Sequence, residues 1–156
     1  MYKGVIIVGG PSRVTNFRPL SLRLPKPLFP VAGLPLIEHQ VAALAKVPGL
    51  SEVLIIGFYE PDLFVEFAGK RCAEAYPGVR VRYLREFEPL GTAGGLYHFR
   101  DQIMRGNPQA VFVVQADIAS SFPLQQLLKF HHEQHAQATL MGKRVKREEA
   151  QGGTFG

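Results

Sequence analysis

Short apolar runs that alternate with longer amphipathic ones constrain this chain more than any other feature. Runs at Lys3–Val8, Glu52–Phe58, Val79–Leu84, Ala110–Gln115 and Thr139–Gly142 are Val/Ile-rich or apolar on both faces, as strands covered on both sides of a parallel sheet must be. Between them, helices are predicted over Pro35–Lys46, Pro61–Ala75, Thr92–Met104 and Pro123–Gln134, with Pro or Thr as initiating residues. Repeated β-α units of this kind predict an α/β fold: a Rossmann-like, mostly parallel sheet flanked by helices. No repeat, low-complexity tract or long linker interrupts the series.

The remaining bounds are broad. A chain of 156 residues, 46% hydrophobic and 20% charged, suits one globular domain with a sizeable core. The net charge of +5 favours an anionic partner, and nucleic acid, nucleotides and phosphorylated sugars all qualify. Cys72 is the only cysteine, so an internal disulfide is excluded; a reducing, cytoplasmic setting is expected, with Cys72 half-buried on a helix rather than nucleophilic. The longest apolar stretch, Leu28–Ile37, is broken by Pro30, Gly33 and Pro35 and is too short to span a bilayer. The apolar start, Gly4–Val8, runs into Gly9-Gly10 without a small-residue cleavage site and reads as a strand rather than a signal peptide.

In such a sheet, ligands bind beyond the carboxyl ends of the strands, where the strand order reverses. A spatial order of third, second, first and fourth strand would set the loop after the first strand beside the residue after the fourth, Asp117. That loop, Gly9 to Pro27, holds a glycine pair, four prolines and the cations Arg13, Arg18, Arg23 and Lys26, with no acid before Glu38. Paired glycines let amide N–H groups approach a phosphate. Arginine forks and a lysine point charge are the two ways proteins hold phosphate oxygens. Pro25 and Pro27 would stiffen the backbone around Lys26. The loop is neither G-x-G-x-x-G nor G-x-x-x-x-G-K-[ST], so the dinucleotide and P-loop mechanisms are disfavoured. The plainer alternative is a basic, Pro-rich surface loop. Asp117 is placed to hold Mg²⁺ against phosphates, or else is a turn aspartate before Ser120-Ser121-Phe122-Pro123.

The segment Glu86 to Leu96 joins a strand to a helix through Gly91-Thr92-Ala93-Gly94. Small residues there would let a base or ribose pack on the backbone, and free N–H groups favour anions; Glu86 or Glu88 could accept hydrogen bonds from guanine. Thr92 as a simple N-cap with glycines for close packing explains the segment equally well. His131 and His135 lack zinc-site spacing and read as a solvated face. The basic run Lys143–Arg147 is short, lacks aromatic interleaving and reads as an exposed linker, so no nucleic-acid partner is expected.

Three segments together resemble the sugar-1-phosphate nucleotidyltransferases: Gly9-Gly10 through Pro27 is similar to their G-G-x-G-T-R-L-R-P-L-T and P-K-P signature, Gly91–Leu96 to their G-T-A-G-x-L, and Asp117 to their strand-terminal aspartate. The resemblance covers essentially the whole chain. Within the family it is closest to the mannose-1-phosphate guanylyltransferases of the alpha, regulatory type, through Pro11-Ser12-Arg13, F-R-P-L-S, P-K-P-L-F-P-V-A-G, I-G-F-Y and G-L-Y-H-F-R-D-Q-I. It implies the nucleotide-diphospho-sugar transferase fold, with nucleotide bound by Val8, Gly9, Gly10, Pro11, Glu86, Gly91, Thr92, Ala93 and Gly94. It further implies phosphate held by the catalytic cations Lys26, Arg18 and Arg13, and Mg²⁺ on Asp117.

The implied ligands are GTP, mannose 1-phosphate and GDP-mannose, and the implied partners are a catalytic subunit and further copies of the chain. The chain departs from the pattern at Val14-Thr15-Asn16, where catalytic members read G-T-R. Loss of that arginine would remove a charge-assisted contact and puts turnover in doubt, with Arg13 the candidate to compensate. The family's second metal aspartate, E-K-P segment and C-terminal β-helix would lie beyond Gly156. The chain is therefore expected to be the N-terminal, nucleotide-binding part of a nucleotidyltransferase domain.

Overall fold

The computed structural model describes residues 1–11, 19–20 and 24–145. They fall into two compact units, Met1–Phe122 and the part that follows from Pro123.

The first unit is built on a four-stranded parallel sheet. Its strands are β1 (Tyr2–Gly9), β4 (Leu50–Gly57), β5 (Arg80–Arg85) and β6 (Ala110–Gln115), in the spatial order β5-β4-β1-β6. This is the arrangement predicted from the sequence, with the order reversing between β1 and β6. From Gly4 in β1 and from Val53 in β4 the strands read as unbroken apolar runs because both sides of them are covered there. Gly4 faces helix α1 (Leu36–Ala45), where a Cβ would come within 2.8 Å of Leu44 Cδ1. Its neighbour Val5 points the opposite way, into a cluster with Leu54, Ile56, Leu84, Phe99 and Ile103. Alternation along a strand thus puts α1 on one face and helices α4 (Gly91–His98) and α5 (Arg100–Met104) on the other.

β5 differs from the predicted type. Arg80 and Arg82 alternate with Val81 and Tyr83, and Arg85 ends the strand after Leu84; this charge suits an edge strand, where it blunts unwanted pairing. Tyr83, on the α1 face, stacks on Phe64 of α2 (Pro61–Glu66) with ring centroids 4.8 Å apart. The predicted helix 61–75 is present in three pieces: α2, a π-helical turn Phe67–Cys72 around Gly69, and α3 (Ala73–Ala75). Cys72 is fully buried rather than half-buried, and burial pushes its thiol up to about 12, so it is a packing residue and no nucleophile. The predicted helix 92–104 is divided at Phe99, whose backbone (φ −96°, ψ 13°) leaves helical geometry while its ring anchors the core cluster.

A small hairpin, β2 (Pro30–Val31) and β3 (Leu34–Pro35), went unforeseen; it turns through Ala32 and Gly33, both at positive φ.

The second unit contains α6 (Leu124–Glu133), which matches the predicted helix, and His131 Nδ1 lies 2.9 Å from Thr139 Oγ1. The strand expected at Thr139–Gly142 is absent: these residues are irregular, and Leu140 is 95% exposed. A four-residue apolar tract becomes a strand only by pairing, and none of the ladders among the described residues includes it.

Candidate functional site

The site lies at the carboxyl ends of β1 and β6. At the end of β1, Gly9 adopts φ +65°, closed to most side chains, and its carbonyl accepts a hydrogen bond from Phe58 N at 2.8 Å. The strand thereby turns sharply while Val8 stays in the core. Gly9 and Pro11 are exposed, so the backbone at this turn is open to a ligand. Farther along the loop, Pro25 precedes a 3-10 turn at Lys26–Leu28. Pro27 and Leu28 are buried anchors, and Leu28 N and Phe29 N bond back to Pro25 O and Lys26 O. Lys26 therefore starts from a fixed backbone, as the flanking prolines suggested.

Beyond β6, Ala116 N still bonds to Ile7 O at 2.9 Å, and the next residue, Asp117, is exposed in a turn. Lys26 Nζ lies 3.6 Å from Asp117 Oδ2, with the two side chains 42% and 60% exposed. Two residues 91 positions apart, chosen from the sequence for phosphate and metal, thus meet at the switch point. An exposed pair of this kind contributes little to stability, at most about 1 kcal/mol, so neither charge is committed to the fold.

The third element comes from the other face. Gly91 (φ +69°) opens α4 with no side-chain cap hydrogen bond. The capping alternative for Thr92 is thereby corrected: Thr92 lies within the first turn, and its Oγ1 is 3.5 Å from Gln115 Nε2 at the end of β6. Gly91, Thr92 and Ala93 are exposed and Gly94 is partly so, leaving the first-turn N–H groups free to meet an anion. Glu86 follows β5 and is buried, its carboxylate lying against Gly95, where a Cβ would collide with it and come within 3.2 Å of Ile56 Cγ2. Burial pushes the Glu86 carboxyl above its ordinary range, with His98 pulling weakly the other way. Glu88 is exposed.

Arg13, Arg18 and Arg23, with Asn16, lie outside the described residues. Among the described residues no group of three His, Cys, Asp or Glu side chains could hold a metal ion. Asp117 is a single exposed carboxylate, a donor set that fits Mg²⁺ shared with phosphate oxygens and water rather than a protein cage. Sequence reasoning missed Gln40, a buried amide on α1 that bonds to the turn carrying Asp117; a polar residue on the apolar stripe Ile37, Val41, Leu44 was the available signal.

An open parallel sheet whose strand order reverses beside a glycine turn belongs to the class of doubly wound α/β proteins, whose ligand crevice lies beyond the carboxyl ends of the strands. The comparison with known proteins is more specific: the nucleotidyl transferase family model matches residues 3–153, and the chain belongs to that family. It is 51% identical over 154 residues to the human protein "Mannose-1-phosphate guanylyltransferase regulatory subunit alpha", covering 96% of this chain and 36% of that one. A probable mannose-1-phosphate guanyltransferase of Schizosaccharomyces pombe is 51% identical over 147 residues, covering 94% and 35%. The chain thus spans about a third of the length of these relatives. Among solved structures, a putative glucose-1-phosphate thymidylyltransferase from Bacillus anthracis, in complex with a sucrose, superposes with a TM-score of 0.67 at 28% identity, covering 86% of this chain and 51% of that one. HddC from Yersinia pseudotuberculosis shares the fold, with a TM-score of 0.58 at 21% identity. Among the described residues no helix is long and apolar enough to cross a membrane.

Proposed function

We propose that this chain forms the nucleotide-binding part of a mannose-1-phosphate guanylyltransferase, which converts GTP and mannose 1-phosphate to GDP-mannose and pyrophosphate. The observation that carries the reading is the meeting of Lys26 and Asp117 at the carboxyl ends of β1 and β6, beside the glycine turn. In the reaction a phosphate oxygen of mannose 1-phosphate attacks the α-phosphorus of GTP. A P–O bond forms, the bond to the bridging oxygen breaks, and pyrophosphate leaves with that electron pair. Such a displacement needs positioning and charge neutralisation rather than a covalent nucleophile.

Each residue then has a defined part. The turn at Val8–Pro11, through its glycines, and the first turn of α4, Gly91–Gly94, offer backbone N–H groups and a flat approach for the nucleotide. Glu86 or the exposed Glu88 accepts from the guanine edge. Lys26 neutralises phosphate charge, joined by Arg13 and Arg18, and Asp117 would hold Mg²⁺, which supplies charge neutralisation at the phosphates.

A second reading rests on Asn16, which cannot replace the arginine of catalytic members, and on the regulatory naming of the similar human protein. In that reading the site binds GDP-mannose and the protein modulates a catalytic partner in the cytoplasm. Pyrophosphate release by the full chain, purified without a partner and given Mg²⁺, GTP and mannose 1-phosphate, separates the two. Robust turnover supports the enzyme; a folded protein that binds GDP-mannose and releases no pyrophosphate supports the regulatory subunit.

A further inference from the structure

Helix α1 reaches both halves of the site. At its start, Leu36 N bonds to Phe29 O at 2.9 Å, fastening the segment that carries Lys26. One turn later Gln40, 1% exposed, donates from Nε2 to Gln115 O and to Ile118 O, both at 3.0 Å. These two carbonyls bracket Asp117. Otherwise the turn is closed by a long bond, Ile118 N to Gln115 O at 3.3 Å, and tethered by Ala116 N to Ile7 O. α1 is itself immobilised by Ile37, Val41 and Leu44, all fully buried on one stripe. A buried amide at the edge of such a stripe is costly, and the more so here because Gln40 Oε1 has no partner among the described residues. An apolar residue would pack as well but would offer no donor to Ile118 O.

We propose that Gln40 is a positioning residue for Asp117: it clamps the turn after β6 to α1, so that the carboxylate is held against Lys26 and toward the phosphates and metal ion that the site would take. The proposal rests on the nucleotide-site reading for its functional consequence and on the geometry alone for the clamp. Partners that orient a metal carboxylate typically change metal affinity ten- to a hundredfold when lost.

The test uses the full chain carrying Gln40→Met, which keeps length and volume but donates nothing, with Gln40→Asn, too short to reach both carbonyls, as a milder companion should the first fail to fold. Mn²⁺ binding in the presence of GDP-mannose is read by electron paramagnetic resonance, GDP-mannose binding in EDTA by calorimetry, and backbone protection by hydrogen exchange. The expected result is Mn²⁺ affinity weaker by about tenfold, metal-free nucleotide affinity within about twofold, and faster exchange confined to the segment around Asp117. A lower melting temperature with Mn²⁺ affinity and exchange around Asp117 both unchanged would mean that Gln40 is merely a packing residue, overturning the proposal. Should the unsubstituted chain bind no nucleotide, the site reading fails separately, and the exchange of residues 116–118 still decides whether the clamp exists.

Discussion

The two ends of the sheet treat charge in opposite ways. At the amino ends, Lys3 on β1 and Arg82 on β5 both meet Glu52 on β4, at 2.8 Å and 2.9 Å, and Lys3 also donates to Gln102 O at 3.1 Å. Lys3 and Glu52 are buried, and every contact is directional. At the carboxyl ends, Lys26 and Asp117 face each other at 3.6 Å with both side chains open to water. The first set is closed and bonded within the fold; the second leaves its charges available. An ion pair that completes its own hydrogen bonding stabilises a structure, whereas one left exposed beside an open glycine turn suits exchange with a charged ligand.

Breaking the closed end should have the largest effect. Removing one partner leaves an uncompensated buried charge, so Glu52→Ala is expected to destabilise the protein by about 3 kcal/mol, measured by chemical denaturation. Burial pushes the Glu52 carboxyl up, but its bonds to Lys3 and Arg82 outweigh this and hold it below the ordinary range. Its contribution is therefore present above the unfolded pKa and lost as pH falls through the folded one. Glu52→Gln should flatten that acid limb of the stability profile and leave nucleotide affinity unchanged.

At the open end the order of effects reverses. Lys26→Ala should weaken GDP-mannose binding about tenfold, as loss of one charge-assisted phosphate contact does, while altering stability by less than about 1 kcal/mol; calorimetric titration and thermal melts read the two.

Glu86 gives the smallest and most discriminating contrast. Its folded pKa is raised by burial, so its favourable contribution is present below the unfolded pKa and lost as pH rises through the folded one. Glu86→Gln should therefore raise stability at neutral pH, by no more than about 1 kcal/mol, with the gain vanishing in acid. If Glu86 reads guanine, the same variant weakens GDP-mannose binding, and stability and function part company.

The closed and open ends also differed in how far the sequence revealed them. The apolar runs of β1, β4 and β6 predicted a parallel sheet, and right-handed crossovers on an order of third, second, first and fourth strand would set the ends of β1 and β6 side by side. Lys26 and Asp117 were legible for the same reason: topology alone brings the ends of β1 and β6 together. The triad was not, since a lysine, a glutamate and an arginine on three strands look like solvated positions until the register aligns them. Thr139–Gly142 misled because apolar composition carries no information on whether a pairing edge is present. Gln40 was hidden because its role depends on two backbone carbonyls, which no side-chain pattern encodes.

The central claim is that the open end binds a nucleotide diphosphate and the closed end does not. Titrating GDP-mannose into the full chain, with and without Mg²⁺, beside Asp117→Asn and Glu52→Gln tests it most directly. Binding is expected to be strengthened by Mg²⁺ in the unsubstituted protein and in Glu52→Gln, with the Mg²⁺-dependent gain abolished in Asp117→Asn. Binding that keeps its full Mg²⁺ dependence in Asp117→Asn would contradict the claim.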